Sequence, residues 1–183
     1  MKKNRLFILA FTWLLPVVVW TQDSLGIRAL LETAQNIPQN EAAYQKYLMA
    51  YSESRQIQYD EGLRLALPKL AAWELKSQNT AGALRYLLEE LALLENLAYP
   101  TRRIAVANQI GDIYYREHLY TEALRYYQIV NQGIAIQDKE QKGLILQKVG
   151  DTFAELLEPD SAFQYYAQLP IWAESRKKDL MDN

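Results

Sequence analysis

Residues 111–127, GDIYYREHLYTEALRYY, return 39 residues later as residues 150–166, GDTFAELLEPDSAFQYY. Both stretches begin with Gly-Asp, contain an alanine near the middle and end in Tyr-Tyr. The tetrapeptide Ala83-Leu84-Arg85-Tyr86 likewise returns 40 residues later as residues 123–126. Several matched residue types at one period indicate a repeat array. Four alanines mark four units with spacings of 40, 40 and 39 residues, namely Ala43, Ala83, Ala123 and Ala162.

Within a unit, the apolar residues follow a helical period. Ile104, Ala107 and Ile110 lie three residues apart, and Ala123, Tyr127 and Val130 repeat the pattern after a short break. Spacings of three and four place such residues on one face of a helix. We therefore predict antiparallel helix pairs at residues 24–37 with 40–57, 60–77 with 80–97, 101–117 with 120–136, and 140–156 with 160–169.

Proline and capping residues support these predicted helix ends. Pro38, Pro100 and Pro159 lie at or beside predicted helix ends, where proline stops one helix or opens the next. Pro68 falls inside the second unit, and it either kinks the helix there or marks that helix's true start. The breaks also predict three N-cap residues, Thr80, Thr101 and Asp160.

The composition excludes several classes of protein. The chain of 183 residues has no cysteine and one histidine, His118, so disulfide frameworks, thiolate nucleophiles and multi-histidine metal sites are excluded. Its net charge of −2 is unlike that of a nucleic-acid-binding protein, which is usually basic. Half of the residues are apolar, and this fraction is typical of a globular domain with a sizeable core. We expect one all-α domain with no cofactor.

The N-terminal residues 1–22 have the pattern of a signal peptide. Lys2, Lys3 and Arg5 precede an almost unbroken apolar run over residues 6–20, which is shorter than the roughly 20 residues of a membrane-spanning helix. We expect cleavage after Thr21 or one residue later, and therefore an exported protein of the bacterial periplasm or cell surface. The alternative is an uncleaved anchor that holds the chain to the membrane and faces the periplasm.

The repeated residues resemble the tetratricopeptide repeat family. In that pattern, one helix has a small residue and an aromatic residue, and the next helix also has a small residue and an aromatic residue. The match is weaker in the second unit, which has Ala71 and Glu74 in the first two positions, and weakest in the first unit, which has Leu31. The residues that carry the resemblance are Gly111, Tyr114, Ala123 and Tyr127, and then Gly150, Phe153, Ala162 and Tyr166.

The resemblance implies a right-handed α-solenoid of about four antiparallel helix pairs. Its units lie near residues 24–57, 60–97, 101–136 and 140–169, and residues 170–183 form a capping helix or a tail. The period of 39–40 exceeds the usual 34 of the family. It is similar to the stretched repeats of exported bacterial scaffold proteins and of sensor histidine kinases.

Such a solenoid offers a concave groove to another protein or peptide segment. We therefore expect an exported interaction scaffold or adaptor that is not an enzyme, binds no nucleic acid and touches the membrane only through its signal peptide. The alternative is a sensory or dimerising input region of a two-component or related signalling protein whose output domains lie elsewhere. The resemblance is also compatible with a homodimer.

The resemblance also implies which residues face the groove. Tyr115 and Arg116 are the expected anchors, because tyrosine and arginine are enriched among interface hot spots. Asn108 and Gln147 do not match the lysine and asparagine clamp that chaperone-binding members use on a terminal carboxylate, so we do not expect recognition of a free C-terminus. The mixed, mildly acidic lining favours a polar or basic partner segment instead. The full set is Ala105, Asn108, Asp112, Tyr115 and Arg116 in the third unit, and Leu144, Gln147, Asp151, Ala154 and Glu155 in the fourth.

Asp112 and Asp151 are the one carboxylate pair that a hydrolytic enzyme could use. Both follow a glycine at equivalent repeat positions, and a glycosidase needs two carboxyl groups at a set separation. Duplication of a polar groove residue explains the pair better. His118 lies at a predicted turn, where we expect it to be solvated, and no second histidine completes a metal site.

Overall fold

The computed structural model describes residues 24–97, 99–135 and 138–169, and the secondary structure within them is helical. The predicted signal peptide over residues 1–22 and the predicted capping helix or tail over residues 170–183 lie outside these residues. None of the helices in the described ranges has the length and hydrophobicity that a membrane crossing requires.

The helices follow the predicted pairs, with boundaries that agree within three residues. Pro68 lies inside the third helix, so it does not mark that helix's start. In chain order the helices are α1 (24–35), α2 (Glu41–Gln56), α3 (Asp60–Lys76), α4 (Thr80–Asn96), α5 (Pro100–Arg116), α6 (Tyr120–Gly133), α7 (Lys139–Glu155) and α8 (Pro159–Tyr166).

The long period follows from helix length. Helices α3, α4, α5 and α7 each contain 17 residues, which span about 26 Å at 1.5 Å per residue. Connections of three residues join α3 to α4 and α5 to α6. Two such helices with two such connections make a 40-residue unit. The extra residues over the usual repeat therefore lengthen helices rather than loops.

The connections that follow α2, α3, α5 and α7 share one geometry. In each, the middle residue has a positive φ between 55° and 60°. At the α5–α6 turn, the His118 amide donates to the Tyr115 carbonyl at 3.0 Å, and the Leu119 amide donates to the Tyr114 carbonyl at 2.9 Å. This bond pattern is the Schellman motif, in which glycine is the usual left-handed residue. Here the left-handed positions hold Gln58, Gln78, His118 and Leu157.

The three predicted N-caps are wrong. Pro100 and Pro159 occupy the first turn of α5 and α8, so the residues after them, Thr101 and Asp160, already lie inside the helices. Helix α4 begins at Thr80, and the preceding Asn79 accepts a hydrogen bond from the Gly82 amide at 3.1 Å. Asparagine competes well for this position because its side-chain oxygen reaches the free amides of the first turn.

The chain also divides into two compact units, one up to Glu90 and one from Leu91 onward. They are distinct from the four repeats, and hereafter they are called the first unit and the second unit. In the first unit, α2 packs against α3, and the buried residues include Leu67, Leu70 and Tyr86. In the second unit, α6 packs against both α5 and α7, and α7 packs against α8. The buried residues of the second unit include Val106, Ile110, Tyr127, Val149 and Tyr166.

Candidate functional site

Each helix pair of the second unit contains the same glycine–tyrosine contact. A Cβ atom on Gly111 of α5 would lie 2.6 Å from a ring carbon of Tyr127 on α6. A Cβ atom on Gly150 of α7 would lie 2.7 Å from a ring carbon of Tyr166 on α8. Carbon atoms do not approach so closely, so both positions need glycine to let the tyrosine ring rest on the helix backbone.

The aspartate after each glycine binds the hydroxyl group of the same tyrosine. Tyr127 donates to Asp112 Oδ1 at 2.7 Å, and Tyr166 donates to Asp151 Oδ1 at 2.7 Å. Burial and this hydrogen bond raise the pKa of Tyr127 well above its ordinary value. Both carboxylates therefore hold a buried tyrosine hydroxyl in place, and this role explains why the Gly-Asp pair recurs together with the second tyrosine of Tyr-Tyr.

A lysine that the sequence analysis did not identify links α5 and α7. Lys148 Nζ donates to Asn108 Oδ1 at 2.9 Å and to Asp112 Oδ1 at 2.5 Å. It also lies 5.3 Å from the centre of the Tyr127 ring, within the range of a cation–π contact. The predicted groove residues Asn108 and Asp112 are thus joined to the next repeat through one ammonium group.

A cavity of about 530 Å³ opens between the N-terminal halves of α5 and α7 and the end of α6. This volume falls in the range of small-molecule and side-chain binding pockets. Most of its lining is apolar, and the amide of Asn108 and the ammonium of Lys148 lie together on one part of the wall. The lining residues are Thr101, Ile104, Ala105, Asn108, Val130, Gly133, Ile134, Ala135, Asp138, Gln141, Leu144, Ile145 and Lys148.

Three predicted groove residues line the cavity: Ala105, Asn108 and Leu144. The leucine is 51% exposed although it is large and apolar. Asp112 adjoins the cavity through its bond to Lys148. The remaining predicted residues do not line it, namely Tyr115, Arg116, Gln147, Asp151, Ala154 and Glu155.

The expected anchors lie at the opposite end of α5. Tyr115 is half-buried and packs edge-on against Tyr120, with ring centres 5.3 Å apart. Arg116 is exposed, and its Nε donates to the Asp112 carbonyl at 3.3 Å. Tyr115 is seven residues, or about 10 Å, beyond Asn108 along the helix. These two residues are therefore separate from the cavity.

Several cavity residues gave no signal in the sequence. Gly133 is not part of the repeated pattern, yet a Cβ atom there would lie 2.7 Å from Ile104, so its small size lets α5 approach the end of α6. Asp138 accepts a hydrogen bond from the Gln141 amide at 3.1 Å and thereby caps α7 at the cavity edge. A search for an aspartate three residues before a polar residue at a helix start could have found this cap.

His118 lies at the α5–α6 turn, as expected, and is exposed. Its Nδ1 is 2.8 Å from the Tyr120 hydroxyl. Burial is the larger cause, and a hydrogen bond to Glu155 the smaller one, that raises the pKa of Tyr120 above its ordinary value. Within residues 24–97, 99–135 and 138–169, no three acidic or histidine side chains come together as a metal site would require.

The first unit uses a different polar contact. Glu74 is buried, and its two oxygens accept hydrogen bonds from Tyr44 at 2.8 Å and from Asn79 at 2.7 Å. The Tyr44 ring stacks on Trp73 with centres 5.3 Å apart. This glutamate occupies the position where the repeat pattern has an aromatic residue, so a hydrogen-bonded carboxylate replaces ring packing there.

Solved structures that are similar to this chain include the following three proteins. One is a signal transduction ATPase with numerous domains and a tetratricopeptide repeat sensor from Pyrococcus horikoshii, at 18% identity and a TM-score of 0.60 over 89% of this chain. The chain spans only 24% of that protein's length. The sequence matches no protein-family model and no curated protein.

The other two structures are single domains. The N-terminal domain of stress-induced protein-1 from C. elegans matches at 13% identity with a TM-score of 0.55, over 67% of this chain and 98% of that domain. The tetratricopeptide repeat domain of Arabidopsis FLU matches at 20% identity with a TM-score of 0.50, over 66% of this chain and 98% of that domain. These likenesses confirm the predicted all-α, tetratricopeptide-type solenoid fold.

Proposed function

We propose that this chain is an interaction module that binds a segment of another protein at the cavity between α5 and α7. The observation that carries the proposal is the position of this cavity. It is lined by Ala105, Asn108 and Leu144, three of the ten residues that the resemblance to the repeat family places in the partner-binding groove. The cavity therefore occupies one part of the predicted groove.

The chemistry of the cavity suits an apolar anchor. Leu144 is half exposed and lines the cavity, beside the buried Ile145. Exposed apolar surface next to a concave, mostly apolar wall is typical of binding sites. A leucine or aromatic side chain of a partner would cover this surface and remove it from water. Lys148 and Asn108 would orient the polar backbone or side chains next to that anchor.

We further propose that the protein acts outside the cytoplasm as a scaffold or adaptor. The basis is the signal-peptide pattern of residues 1–22. The test is intact-mass measurement of the protein recovered from each cell fraction. Cleavage at residue 21 or 22 and recovery from the periplasm or cell surface support export. A full-length mass in the membrane fraction supports the N-terminal anchor instead, and a cytoplasmic full-length product contradicts both.

A second candidate is a sensory or dimerising input region of a signalling protein. Its support is the likeness to the signal transduction ATPase from Pyrococcus horikoshii, which has a tetratricopeptide repeat sensor. The genomic sequence downstream separates the two candidates, because an input region requires output domains in the same reading frame or an adjacent gene. Light scattering of the purified chain tests the dimer, and a monomer at micromolar concentration contradicts dimerisation.

The binding proposal is tested by selecting displayed peptides on the full chain and measuring their affinity for two matched variants. Leu144→Glu places a charge at the cavity, whereas Leu119→Glu places the same charge on another exposed leucine of the second unit. We expect selected peptides to lose binding to Leu144→Glu and to keep it for Leu119→Glu. Equal affinity for both variants would show that the cavity is not the binding site.

A further inference from the structure

The two charged side chains among the described lining residues of the cavity are already bound by other groups of the protein. Lys148 Nζ forms an ion pair with Asp112 Oδ1 at 2.5 Å and also donates to Asn108 Oδ1 at 2.9 Å. Asp138 Oδ1 accepts the Gln141 amide in the first turn of α7, where the positive end of the helix dipole partly offsets its charge. The described wall of the cavity is therefore close to neutral.

Other charged residues at the starts of α5 and α7 are not among the described lining residues. Their charges act on the cavity through water, where salt screens them. A charge in the wall itself therefore has more influence on a partner than these residues have. They are Arg102, Arg103, Lys139, Glu140 and Lys142.

A neutral wall selects against charged side chains. An acid of the partner would have to share the Lys148 ammonium with Asp112, and a base would have to share Asp112 with that ammonium. Neither would gain a full ion pair in exchange for the water that it loses, and burying an incompletely paired charge costs free energy. The third proton of Lys148 suits a neutral acceptor instead, such as a backbone carbonyl of the partner.

The size of the cavity indicates how much apolar surface a partner can insert. A cavity of about 150 Å³ accommodates one benzene ring, whereas this one has a volume of about 530 Å³. Two large apolar side chains therefore fit into it. Its lining offers them apolar surface from α5, α6 and α7 and from the end of α6, namely Ile104, Val130, Ile134, Leu144 and Ile145.

We infer that the partner segment inserts two large apolar side chains without a charged neighbour, and that the Lys148–Asp112 ion pair sets this selectivity by cancelling charge at the cavity wall. This inference rests on the proposed function, because it specifies the partner for the same cavity. It replaces the polar or basic segment expected from the sequence, since a lysine of the next repeat neutralises Asp112. Either member of the pair, left alone, would attract the opposite charge.

The test uses fluorescent peptides with both ends blocked and Trp-Leu at the centre, flanked by serines, glutamates or lysines. Anisotropy titration of the full chain should show the serine peptide binding at least as tightly as either charged peptide. Its affinity should change little between about 20 mM and about 500 mM salt, because no charge pair contributes to it. A serine peptide with Ala-Ala at the centre should bind about tenfold more weakly or worse, because it buries less apolar surface.

Variants of the ion pair should change the charge preference in opposite directions. Asp112→Asn leaves an oxygen for the Tyr127 hydroxyl and should favour the glutamate peptide over the lysine peptide by about threefold, whereas Lys148→Met should favour the lysine peptide by a similar factor. Glu61→Gln breaks a similarly exposed ion pair with Arg64 in the first unit and should leave the preference unchanged. Thermal melting checks that each variant is folded. Should Lys148→Met unfold, Asp112→Asn still tests the inference.

The outcomes separate this inference from the proposed function. Binding of either charged peptide to the wild type more tightly than the serine peptide by about threefold, lost in Leu144→Glu, would overturn the neutral selectivity and leave the cavity as the binding site. An unchanged preference in Asp112→Asn, or a change in the same direction in both variants, would overturn the role of the ion pair. The absence of binding by every peptide, together with a failed display selection, would overturn the proposed function itself.

Discussion

The two helix pairs of the second unit differ from the α3–α4 pair at three linked positions. Gly111, Asp112 and Tyr127 recur as Gly150, Asp151 and Tyr166, but α3 and α4 have Ala71, Ala72 and Leu87 at the equivalent places. Both Ala71 and Leu87 are buried.

The difference shows that these three positions act as one structural group. A tyrosine ring requires glycine beneath it, and its hydroxyl requires a nearby acceptor. Leucine has no hydroxyl and is narrower than a ring, so alanine can replace glycine and no carboxylate is needed. The resemblance to the repeat family is weak in the second repeat because Ala71 and Leu87 replace glycine and tyrosine, and Glu74 replaces an aromatic residue.

The largest expected effect is from removing the ring. Tyr127→Ala should lower the free energy of unfolding by about 3–5 kcal/mol, because it leaves a void above Gly111 and leaves Asp112 without the hydroxyl. Chemical denaturation measures the loss. Tyr99→Ala, at a tyrosine that is 44% exposed in the same unit, is the control and should cost much less. Equal losses would mean that the ring does not hold the pair together.

The second prediction tests whether glycine and tyrosine are coupled. Gly111→Ala should cost about 1–3 kcal/mol, since the new methyl group would overlap the Tyr127 ring. In the background of Tyr127→Leu, which copies the first unit, the same change should cost less. A double-mutant cycle should give a coupling free energy of about 0.5–3 kcal/mol. Additive losses would refute the view that the positions form one group.

The third prediction concerns the hydroxyl groups. Tyr127→Phe and, in the first unit, Tyr44→Phe should each cost about 1 kcal/mol at neutral pH, because each removes a hydrogen bond to a carboxylate. Burial raises the pKa of both tyrosines above the ordinary 10.0, so the folded state holds the proton more tightly than the unfolded state. Stability is therefore complete below pH 10 and falls as pH rises above it.

Each phenylalanine variant should accordingly show a shallower fall in stability above pH 10 than the wild type. Urea titrations at several alkaline pH values measure the slopes. A slope unchanged in Tyr127→Phe but reduced in Tyr44→Phe would place the alkaline sensitivity in the first unit rather than in both.

The smallest expected effect is at the turns. Leu157 has a φ of 60° and is 86% exposed, so its side chain strains the backbone without gaining burial. Leu157→Gly should raise the free energy of unfolding by about 0.5 kcal/mol, the strain relief being offset by the greater freedom of glycine in the unfolded chain. Gln78→Gly, at the equivalent turn of the first unit, should act in the same direction. Destabilisation by both changes would contradict the strain argument.

Local patterns predicted most of the helices. The spacing of Ile104, Ala107 and Ile110 and the prolines at 38, 100 and 159 are visible within one unit, because helix periodicity and proline geometry depend on nearby residues. The N-caps were misplaced because Pro100 and Pro159 set the helix starts one residue earlier than capping preferences suggested.

The candidate site was only partly predictable. Ala105, Asn108 and Leu144, which the resemblance to the repeat family places in the groove, line the cavity. Lys148 did not, because the equivalent position in the preceding unit is Gln109 and a contact with a residue 36 or 40 positions away leaves no periodic signal. The repeat period predicted which face of each helix packs against its neighbours, but it did not indicate which side chains contact each other between two helices.

By itself, the sequence determined the repeat length, the helices and the glycine–tyrosine pattern, because each depends on spacing within a short stretch of chain. The tertiary structure alone decided that Asp112 and Asp151 bind tyrosine hydroxyls, that Lys148 joins α5 to α7, and that a cavity remains beside Leu144. These features depend on distances between helices, and such distances arise from how the side chains of several helices pack at once.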